Sequence, residues 1–464
     1  MRDLVDLLEL LVMAYFLLVN GFYSLVMVAA HFQLQRSRRE SNWESREAIA
    51  GAKICPRISI LSPAHNEEAS IVESVQALLH HHYPRLEVVV IDDGSKDATL
   101  QTLLEAFQLE PVVPLLPPFL TTRPLRGLYA SVRHPNLVVA SKVNGGKSDA
   151  LNMGLLLATG DLCCVVDADT LLEADALQKL VRPFLSSDHV VAAGGTLRVV
   201  NESRIEHAQV VEVRTPRHWL AGVQTVEYIR AFLFGRLGLN GLGGNLIISG
   251  AFGLFRRQQV LDCGGYSTTT VGEDMELVIR LRRQGLEKGL PSQVEFVPDP
   301  VAWTEAPSSL KILRSQRNRW QRGLCDSLWR HRQVLFNPAY GSMGMVAFPY
   351  QVLIELISPL IESLGWLTLL LALLAGEVNG TFALGFFLAA YGWGTLLTAV
   401  GIWLEQRCFP RQRRLGQQLW LVWWALIESL GYRQWAMVAR LQGFLKWILG
   451  HHEWGRMERV GFGK

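Results

Sequence analysis

The chain has 464 residues, of which 49% are hydrophobic, and it carries a formal net charge of +3. This length allows one large or two ordinary domains, and the hydrophobic fraction exceeds the soluble average and indicates a membrane protein. The small net charge gives no support to a nucleic-acid partner, and the six cysteines form neither a CxxC motif nor a metal-ligand pattern.

The N-terminal segment from Leu7 to Ala30 is almost uninterrupted apolar sequence, long enough to cross a hydrocarbon core of ~30 Å as a helix. Acidic residues precede this segment and arginines follow it, whereas a cleavable signal peptide carries its positive charge in front. Because positive residues mark the cytosolic side of a membrane, we interpret residues 1–35 as a transmembrane anchor that leaves the next segment in the cytosol.

Residues 50–335 form the second predicted domain, in which short apolar runs alternate with helical patterns. The predicted strands are Arg57–Leu61, Leu86–Ile91 and Leu162–Val166. The predicted helices are Ser70–Leu79 and Ala150–Ala158. We predict that Ser148 caps the last of these helices, that Gly160 ends it, and that proline-rich Glu110–Pro135 is an extended loop. The alternation predicts a three-layer α/β domain whose ligands bind beyond the carboxyl ends of its strands.

Residues 336–450 are predicted to contain C-terminal transmembrane and interfacial helices. Val352–Ala375 and Phe382–Leu404 are each about one bilayer long, and a further apolar helix begins at Leu419. We expect four crossings in total, with a re-entrant or interfacial last element as the alternative. The basic tail, 451–464, favours the cytosol.

Acidic residues follow two of the predicted strands. Asp167 and Asp169 are two positions apart, so both carboxylates can face one side and hold Mg²⁺ or Mn²⁺ beside a diphosphate. Asp92 and Asp93 lead into a Gly-Ser turn, where a carboxylate either caps the turn or accepts a hydrogen bond from a base or ribose. Lys147 follows two glycines at a helix N-terminus, a position that favours a phosphate.

Two further groups of polar residues lie downstream. Glu273 and Asp274 open a predicted helix, where they are either partners of the helix dipole or, for Asp274, a catalytic base. Gln316, Arg319 and Trp320 are spaced i, i+3, i+4 and present an amide, a guanidinium and an indole on one helical face. This face is either a surface for diphosphate and sugar or a basic surface directed at lipid.

Taken together, six motifs resemble those of the membrane-integrated family 2 glycosyltransferases, the group that includes cellulose, hyaluronan and poly-N-acetylglucosamine synthases. In chain order, the motifs are Pro63–Glu67 (PAHNE), Asp92–Ser95 (DDGS), Gly146–Ser148 (GKS), Asp167–Asp169 (DAD), Gly272–Asp274 (GED) and Gln316–Trp320 (QRNRW). The resemblance runs from about residue 55 to residue 325. It implies that the α/β domain has a GT-A fold.

The resemblance also implies roles for individual residues. On the donor side, these are Asp93 with Asp92 for uridine, Lys147 and Arg319 for the diphosphate, and Asp169 for the metal, with Asp167 near the nucleotide. On the acceptor side, they are Asp274 as general base, with Gln316, Trp320, Glu273, Ser249 and Gly250 lining the site. The implied cofactor is Mg²⁺ or Mn²⁺, and the implied partners are a UDP-sugar, a polysaccharide or lipid-linked acceptor, the bilayer and small accessory subunits.

The resulting hypothesis is an inverting transferase in the bacterial inner membrane, multi-pass and with a cytosolic catalytic domain. It would add sugar from UDP-N-acetylglucosamine or UDP-glucose to a growing β-linked polysaccharide and couple synthesis to translocation. Two alternatives remain open. One is a non-processive transferase that adds one sugar to a lipid-linked acceptor, and the other is an inactive receptor or assembly component.

Overall fold

The computed structural model describes residues 2–43, 55–206, 208–376, 378–408 and 415–450. As far as they are described, these residues divide into two compact units. The sheet unit takes in residues 36–213 and 245–305, and the helical unit takes in residues 2–35, 214–244 and 306–450. The basic tail predicted at 451–464 lies outside the described residues.

The sheet unit contains all the strands among the described residues. They are β1 Ile58–Ala64, β2 Leu86–Asp92, β3 Leu109–Pro111, β4 Leu125–Ser131, β5 Leu137–Lys142, β6 Leu162–Val166, β7 Leu171–Leu172, β8 Val190–Val199, β9 Arg204–Glu206, β10 Gln209–Glu212, β11 Phe252–Arg256 and β12 Gln293–Thr304. Ten strands form one sheet in the order β3-β4-β5-β2-β1-β6-β11-β8-β12-β7, and β9 pairs with β10 separately. Neighbours from β5 to β6 are parallel, whereas β11 is antiparallel to β6 and β8. The predicted α/β class with Rossmann-like topology is therefore confirmed.

The α-helices of both units are given in chain order. They are α1 Arg2–Trp43, α2 Ile71–Leu79, α3 Thr99–Ala106, α4 Lys147–Leu157, α5 Ala176–Leu180, α6 Arg182–Ser186, α7 Trp219–Ile229, α8 Leu237–Gly241, α9 Arg257–Asp262, α10 Glu273–Lys288, α11 Leu310–Arg330, α12 Phe348–Tyr350, α13 Ser358–Ala375, α14 Gly380–Phe387, α15 Trp393–Cys408, α16 Leu415–Ile427 and α17 Arg433–Ile448. Short π-helical segments connect several of them, at Arg230–Arg236, Met343–Ala347, Gln351–Leu356, Leu388–Gly392 and Glu428–Tyr432.

The core of the sheet unit fixes two helices relative to the strands. One apolar cluster joins Leu61, Ile91 and Val165 of the sheet to Leu155 of α4 and Val278 of α10. β2 and β6 are buried along their whole length, as expected for parallel strands in the interior of a layered domain. The packing therefore holds the first turns of α4 and α10 at defined places along the sheet.

Three local predictions are wrong. Helix α4 begins at Lys147 and has Gly146, at φ 85°, as its N-cap, whereas Ser148 lies buried inside the first turn. A positive φ is accessible to glycine without a steric cost, so the loop enters the helix without a side-chain cap. The helix also ends at Leu157 instead of Gly160. The proline-rich stretch contains β4, so only residues 112–124 are irregular between β3 and β4.

Three helical stretches among the described residues are long and apolar enough to cross a membrane. They are Val5–Ser37, Met343–Ala375 and Gly380–Trp403. Beyond them, α16 and α17 are separated by Leu430, at φ −109° and ψ 101°, and Gly431, at φ 92°. With 13 and 16 residues at ~1.5 Å rise each, neither helix reaches across a hydrocarbon core alone. The total number of crossings stays a prediction.

Candidate functional site

The sheet brings several chain segments to one edge. Because β1, β2, β5 and β6 are parallel, their carboxyl ends lie at the same edge of the sheet. Strand β11 runs the other way, and its first residue, Phe252, pairs with Val166, the last residue of β6. The segment before β11 therefore meets the acidic segment after β6, at the same edge as the acidic segment after β2. This is the edge at which α/β proteins bind ligands.

Four of the predicted site residues form one connected cluster at this edge. The Lys147 ammonium forms an ion pair with the Asp167 carboxylate and donates a hydrogen bond to the Gly250 carbonyl oxygen at 3.0 Å. The Gly250 N–H in turn donates to Asp274 Oδ2 at 3.0 Å. A side-chain carbon on Gly250 would lie 3.3 Å from Lys147 Nζ and 3.4 Å from Asp274 Oδ2. The main chain of Gly250 therefore fits closely between the cation and the carboxylate.

The charge of Lys147 follows from its surroundings. Burial disfavours its charged form, but the carboxylates of Asp167, Glu273 and Asp274 outweigh burial and raise the pKa of Lys147 above its usual value. Lys147 is therefore a cation at neutral pH. A half-buried ammonium at a helix N-terminus is well suited to an anionic group such as a phosphate.

Asp274 is held in one orientation at the start of α10. Its Oδ1 accepts a hydrogen bond from the Met275 N–H at 2.8 Å, and its Oδ2 accepts the bond from Gly250. Each carboxylate oxygen has two acceptor positions, so a further hydroxyl can bind to either oxygen. Asp274 is half-buried, and neighbouring Glu273 is buried. As predicted, both residues lie in the first turn of a helix.

The carboxylates of Asp92 and Asp93 are enclosed by the protein. Asp92 Oδ1 accepts from the Ser95 N–H at 3.1 Å, and Asp92 Oδ2 accepts from the Ser141 hydroxyl at 2.8 Å. Asp93 Oδ1 lies 2.6 Å from the Lys142 ammonium and 3.0 Å from the Gly145 nitrogen. Its Oδ2 accepts from the Gly146 N–H at 2.8 Å. Every one of these four oxygens therefore already accepts a hydrogen bond from the protein, and the predicted contact with a nucleoside stays a prediction.

The loops after β2 and β5 interlock at this point. The Asn144 side chain donates to the Asp93 carbonyl oxygen at 2.8 Å, and the His65 Nδ1 lies 3.0 Å from the same oxygen. Gly94 has φ 66°, and a side-chain carbon there would lie 2.7 Å from the Asn144 nitrogen. A glycine is therefore required in the DDGS motif by both the backbone conformation and the space available.

Two charged residues of this region were not identified from the sequence. Lys142 is fully buried, and its ammonium contacts both Asp93 and Asp149, each at 2.6 Å. In the sequence, Asp149 looks like an ordinary partner of the α4 dipole. A lysine at the end of an otherwise apolar strand is the signal that points to a buried ion pair, because an unpaired charge is too costly to bury.

Asp167 and Asp169 are the residues that could hold a divalent cation. Both are half-buried and alternate with buried Ala168, and carboxylate oxygens are the ligands that Mg²⁺ and Mn²⁺ prefer. In the described part of the chain no three His, Cys, Asp or Glu side chains are grouped as a complete metal site. The two carboxylates fit part of the oxygen ligand set of Mg²⁺ or Mn²⁺.

The remaining predicted residues belong to two places. Ser249 is half-buried beside Gly250, and its hydroxyl lies 3.4 Å from the Ala251 nitrogen. Gln316, Arg319 and Trp320 lie on α11 in the helical unit, where Gln316 and Arg319 are half-buried and Trp320 is 45% exposed. The helical spacing predicted for these three residues is confirmed.

Helix α11 is anchored by Arg317, which lies between Gln316 and Arg319 in the sequence. Arg317 is buried, and its guanidinium forms an ion pair with Glu227 at 2.7 Å and lies 3.4 Å from the Tyr432 hydroxyl. Its guanidinium carbon lies 4.3 Å from the centre of the Trp320 ring, in the range of a cation–π contact. Arg317 therefore supports the indole of Trp320, which stays accessible on one side.

Comparison with known proteins identifies the family. The profile of "Glycosyltransferase like family 2" matches residues 129–323, and that of "Glycosyl transferase family 2" matches residues 59–117. All six motifs fall within these two matches. The two matches therefore cover both the sheet edge and the first part of α11.

Curated bacterial relatives agree with this result. The chain is 29% identical to the probable glycosyltransferase YdaM of Bacillus subtilis (strain 168) over 274 residues, which are 58% of this chain and 56% of YdaM. It is 25% identical to poly-beta-1,6-N-acetyl-D-glucosamine synthase of Staphylococcus aureus (strain COL) over 298 residues, which are 64% of this chain and 60% of the synthase. The chain thus spans less than two thirds of the length of these relatives.

A solved structure shares the fold. The mannosyltransferase PcManGT from Pyrobaculum calidifontis, determined in complex with GDP-Man and Mn²⁺, superimposes with a TM-score of 0.52 at 18% identity. The match covers 91% of this chain and 99% of that chain. The sheet unit has the GT-A-like architecture that the resemblance implied. Residues 59–117 and 129–323 of the chain contain glycosyltransferase family 2 domains.

Proposed function

We propose that the chain is an inverting glycosyltransferase that transfers N-acetylglucosamine or glucose from a UDP-sugar to a growing β-linked polysaccharide. The observation that carries this proposal is the connected cluster of Lys147, Asp167, Gly250 and Asp274. It joins a cation suited to a diphosphate to a carboxylate suited to a base. The poly-N-acetylglucosamine synthase among the relatives supports a polymeric product and favours N-acetylglucosamine over glucose.

Asp274 acts as the general base in this proposal. One of its oxygens accepts the proton of the acceptor hydroxyl while the hydroxyl oxygen attacks the anomeric carbon of the donor. The bond from that carbon to the diphosphate oxygen breaks, so an α-linked donor gives a β-linked product. The bonds from Gly250 and Met275 keep the carboxylate oriented, and a positioned base typically contributes about 10²–10⁴-fold to the rate.

Lys147 stabilises the leaving diphosphate. Negative charge increases on the diphosphate as its bond to the sugar breaks, and a nearby ammonium lowers the energy of that charge. The donor diphosphate would compete with Asp167 for this ammonium. Asp169, with Asp167, would hold Mg²⁺ or Mn²⁺, which when bound supplies further positive charge to the diphosphate.

The cellular setting is part of the same proposal. Three candidate spans support association with a membrane, and the arginines after the first span favour a cytosolic sheet unit. We therefore propose a multi-pass protein of the bacterial inner membrane that couples synthesis to translocation of the polymer. The roles predicted for Gln316, Arg319 and Trp320 in binding diphosphate and acceptor stay predictions.

The test is an assay of the purified full-length protein with a panel of UDP-sugars and GDP-mannose, with Mg²⁺ or Mn²⁺. We expect release of UDP from UDP-N-acetylglucosamine or UDP-glucose, and a product that grows to many sugars. Asp274→Asn should lower the rate of this release by about 10²–10⁴-fold. The matched control is Glu287→Gln, which neutralises an exposed carboxylate at the other end of α10 and should behave like the wild type.

The alternatives predict different outcomes in the same assay. Addition of one sugar to a lipid-linked acceptor would identify a non-processive transferase. Release from GDP-mannose alone would overturn the proposed donor. Release from no donor at all, by a folded protein, would favour the inactive receptor or assembly component.

A further inference from the structure

The buried ammonium of Lys142 has an unusually complete set of partners. Its Nζ lies 2.6 Å from Asp93 Oδ1, 2.6 Å from Asp149 Oδ1 and 2.8 Å from the Val143 carbonyl oxygen. An ammonium has three N–H donors, so all of them are used within the protein. The side chain is completely buried. Lys142 therefore cannot contact a ligand directly without a rearrangement of the site.

Asp93, one partner of Lys142, binds the loop that precedes α4. The Asp93 carboxylate accepts hydrogen bonds from the Gly145 N–H at 3.0 Å and the Gly146 N–H at 2.8 Å. Gly146 is the N-cap of α4, and Lys147 is the first residue of that helix. The position of Asp93 therefore sets the place where α4 begins and from which the Lys147 side chain extends.

Asp149, the other partner of Lys142, also lies next to this loop. Both carboxylate oxygens of Asp149 lie 3.1 Å from the main-chain nitrogen of Arg123. A side-chain carbon on Gly145 would lie 2.5 Å from Asp149 Oδ1 and 2.8 Å from the Arg123 Cγ. Gly145 is therefore confined between Asp149, Arg123 and its own hydrogen bond to Asp93.

The charges of this group explain why the lysine is needed. Two carboxylates and one ammonium leave one net negative charge, which faces the N–H groups of Gly145, Gly146 and Arg123. Without the ammonium, two buried carboxylates would face each other with no cation between them. Both carboxylates lie 2.6 Å from the same nitrogen, so they are close enough to repel each other strongly away from water and would move apart without the ammonium.

We propose that Lys142 is a positioning residue of the donor site. It holds Asp93 and Asp149 at a fixed separation, and through Gly145 and Gly146 it fixes the start of α4 and hence the location of Lys147. The inference rests on the proposed function in so far as Lys147 binds the donor diphosphate. Lys142 acts through Lys147 and does not touch the donor.

The first test compares two buried lysines in the full-length protein. Lys142→Met removes the ammonium from the Asp93–Asp149 pair. The matched control, Lys179→Met, removes a buried ammonium that lies 3.2 Å from Asp175 and 3.3 Å from Asp299, away from the residues of the site described above. Both variants lose a buried cation with two carboxylate partners, so a general loss of stability should affect both.

The expected result is a difference in donor binding between the two variants. Lys142→Met should raise the Kd for UDP, measured by calorimetry with Mg²⁺ present, by about tenfold, and it should raise the KM for the donor similarly. Lys179→Met should leave both constants within about twofold of the wild type. Equal constants for Lys142→Met and the wild type would overturn the proposal, as would an equal rise in both variants.

A second measurement does not depend on donor binding. We expect the amide hydrogens of Gly145 and Gly146 to exchange with solvent faster in Lys142→Met than in the wild type, and at the wild-type rate in Lys179→Met. If the wild type binds no nucleoside diphosphate but these amides respond, the proposed function fails and the positioning role stands. If the wild type binds UDP but the amides do not respond, the positioning role fails alone.

A third variant covers the case in which Lys142→Met does not fold. In the double variant Lys142→Met/Asp149→Asn, the second carboxylate is neutral, so the repulsion between buried charges is removed while Asp93 still lacks its cation. This protein should fold and still bind UDP about tenfold more weakly than the wild type. UDP binding equal to that of the wild type in the folded double variant would overturn the proposal.

Discussion

Two acidic pairs occupy equivalent places in the sheet but have different surroundings. Asp92 ends β2 and Asp93 follows it, and Asp167 and Asp169 follow β6, a parallel strand of the same sheet. The first pair is 2% and 4% exposed and accepts hydrogen bonds from neighbouring loops, whereas the second pair is half-buried. Acidic residues at the carboxyl ends of parallel strands therefore lie at one edge of the sheet, and the neighbouring strand determines which of them remain accessible.

The strand order explains the difference. The neighbour of β2 is β5, which ends in Ser141 and Lys142 and supplies donors to both Asp92 and Asp93. On its side away from β1, β6 has β11 as its neighbour. The segment that precedes β11 brings the small residue Gly250 to the edge. Asp167, at this edge, pairs with Lys147.

The largest effect on activity is expected for Asp274, which is half-buried like Asp167 and Asp169. Asp274→Asn should lower kcat by about 10²–10⁴-fold, because the amide cannot accept the hydroxyl proton. UDP affinity and melting temperature should stay close to those of the wild type. Turnover and calorimetry on the same preparation check both parts, and wild-type turnover would remove Asp274 from the role of base.

Asp169→Asn should have the next largest effect. We expect transfer to fall by about a hundredfold, because the site loses a charged ligand for the cation that neutralises the diphosphate. Since Asp169 is half-buried, the free energy of unfolding should change by less than about 1 kcal/mol. Initial rates over a range of Mn²⁺ concentrations test the first part. A large loss of stability would show that Asp169 is enclosed by the protein in the same way as Asp92 and Asp93, and would contradict the difference between the two pairs.

Asp93→Asn should affect stability and, through Gly145 and Gly146, donor binding. The amide can still accept one hydrogen bond, but the Lys142 ammonium loses one of its two buried carboxylates. We expect the free energy of unfolding to fall by about 2 kcal/mol. Chemical denaturation in detergent measures this change, with Asp169→Asn as the matched variant. If Asp93→Asn were as stable as the wild type and Asp169→Asn were not, the assignment of the two pairs would be reversed.

Asp92→Asn should have the smallest effect of the four. The amide oxygen can keep the bond from the Ser95 N–H, and only the bond with the Ser141 hydroxyl must rearrange. A loss of about 1 kcal/mol is expected, with no change in the KM for the donor. Ser141→Ala removes the same bond from the other side and should give a similar loss. A raised KM in Asp92→Asn alone would indicate contact with the donor.

The sequence was sufficient to locate three strands of the site, β1, β2 and β6, and most of its charged residues, whereas β5 and β11 were not predicted. Asp167, Lys147 and Asp274 were each identified from their position at a strand or helix end, and the structure brings them together. Lys142 was not identified, because its pairing with Asp93 and Asp149 depends on which strands become neighbours. Strand order is a long-range property that local patterns do not contain.

Backbone conformation accounts for the error at the start of α4. The start of this helix depends on the positive φ of Gly146, whereas the sequence around it is also compatible with a side-chain cap at Ser148. Glycine permits such a conformation without requiring it, so the sequence alone could not fix this boundary.

The link between Lys147 and Asp274 passes through the main chain of Gly250, and this affects how the position responds to mutational scanning. An alanine scan leaves every main-chain N–H and C=O in place, so Gly250→Ala would report crowding of the two side chains instead of loss of the link. Only proline removes the N–H donor. A saturation library should therefore show tolerance at position 250 that follows side-chain volume, with proline as an outlier more severe than its size predicts.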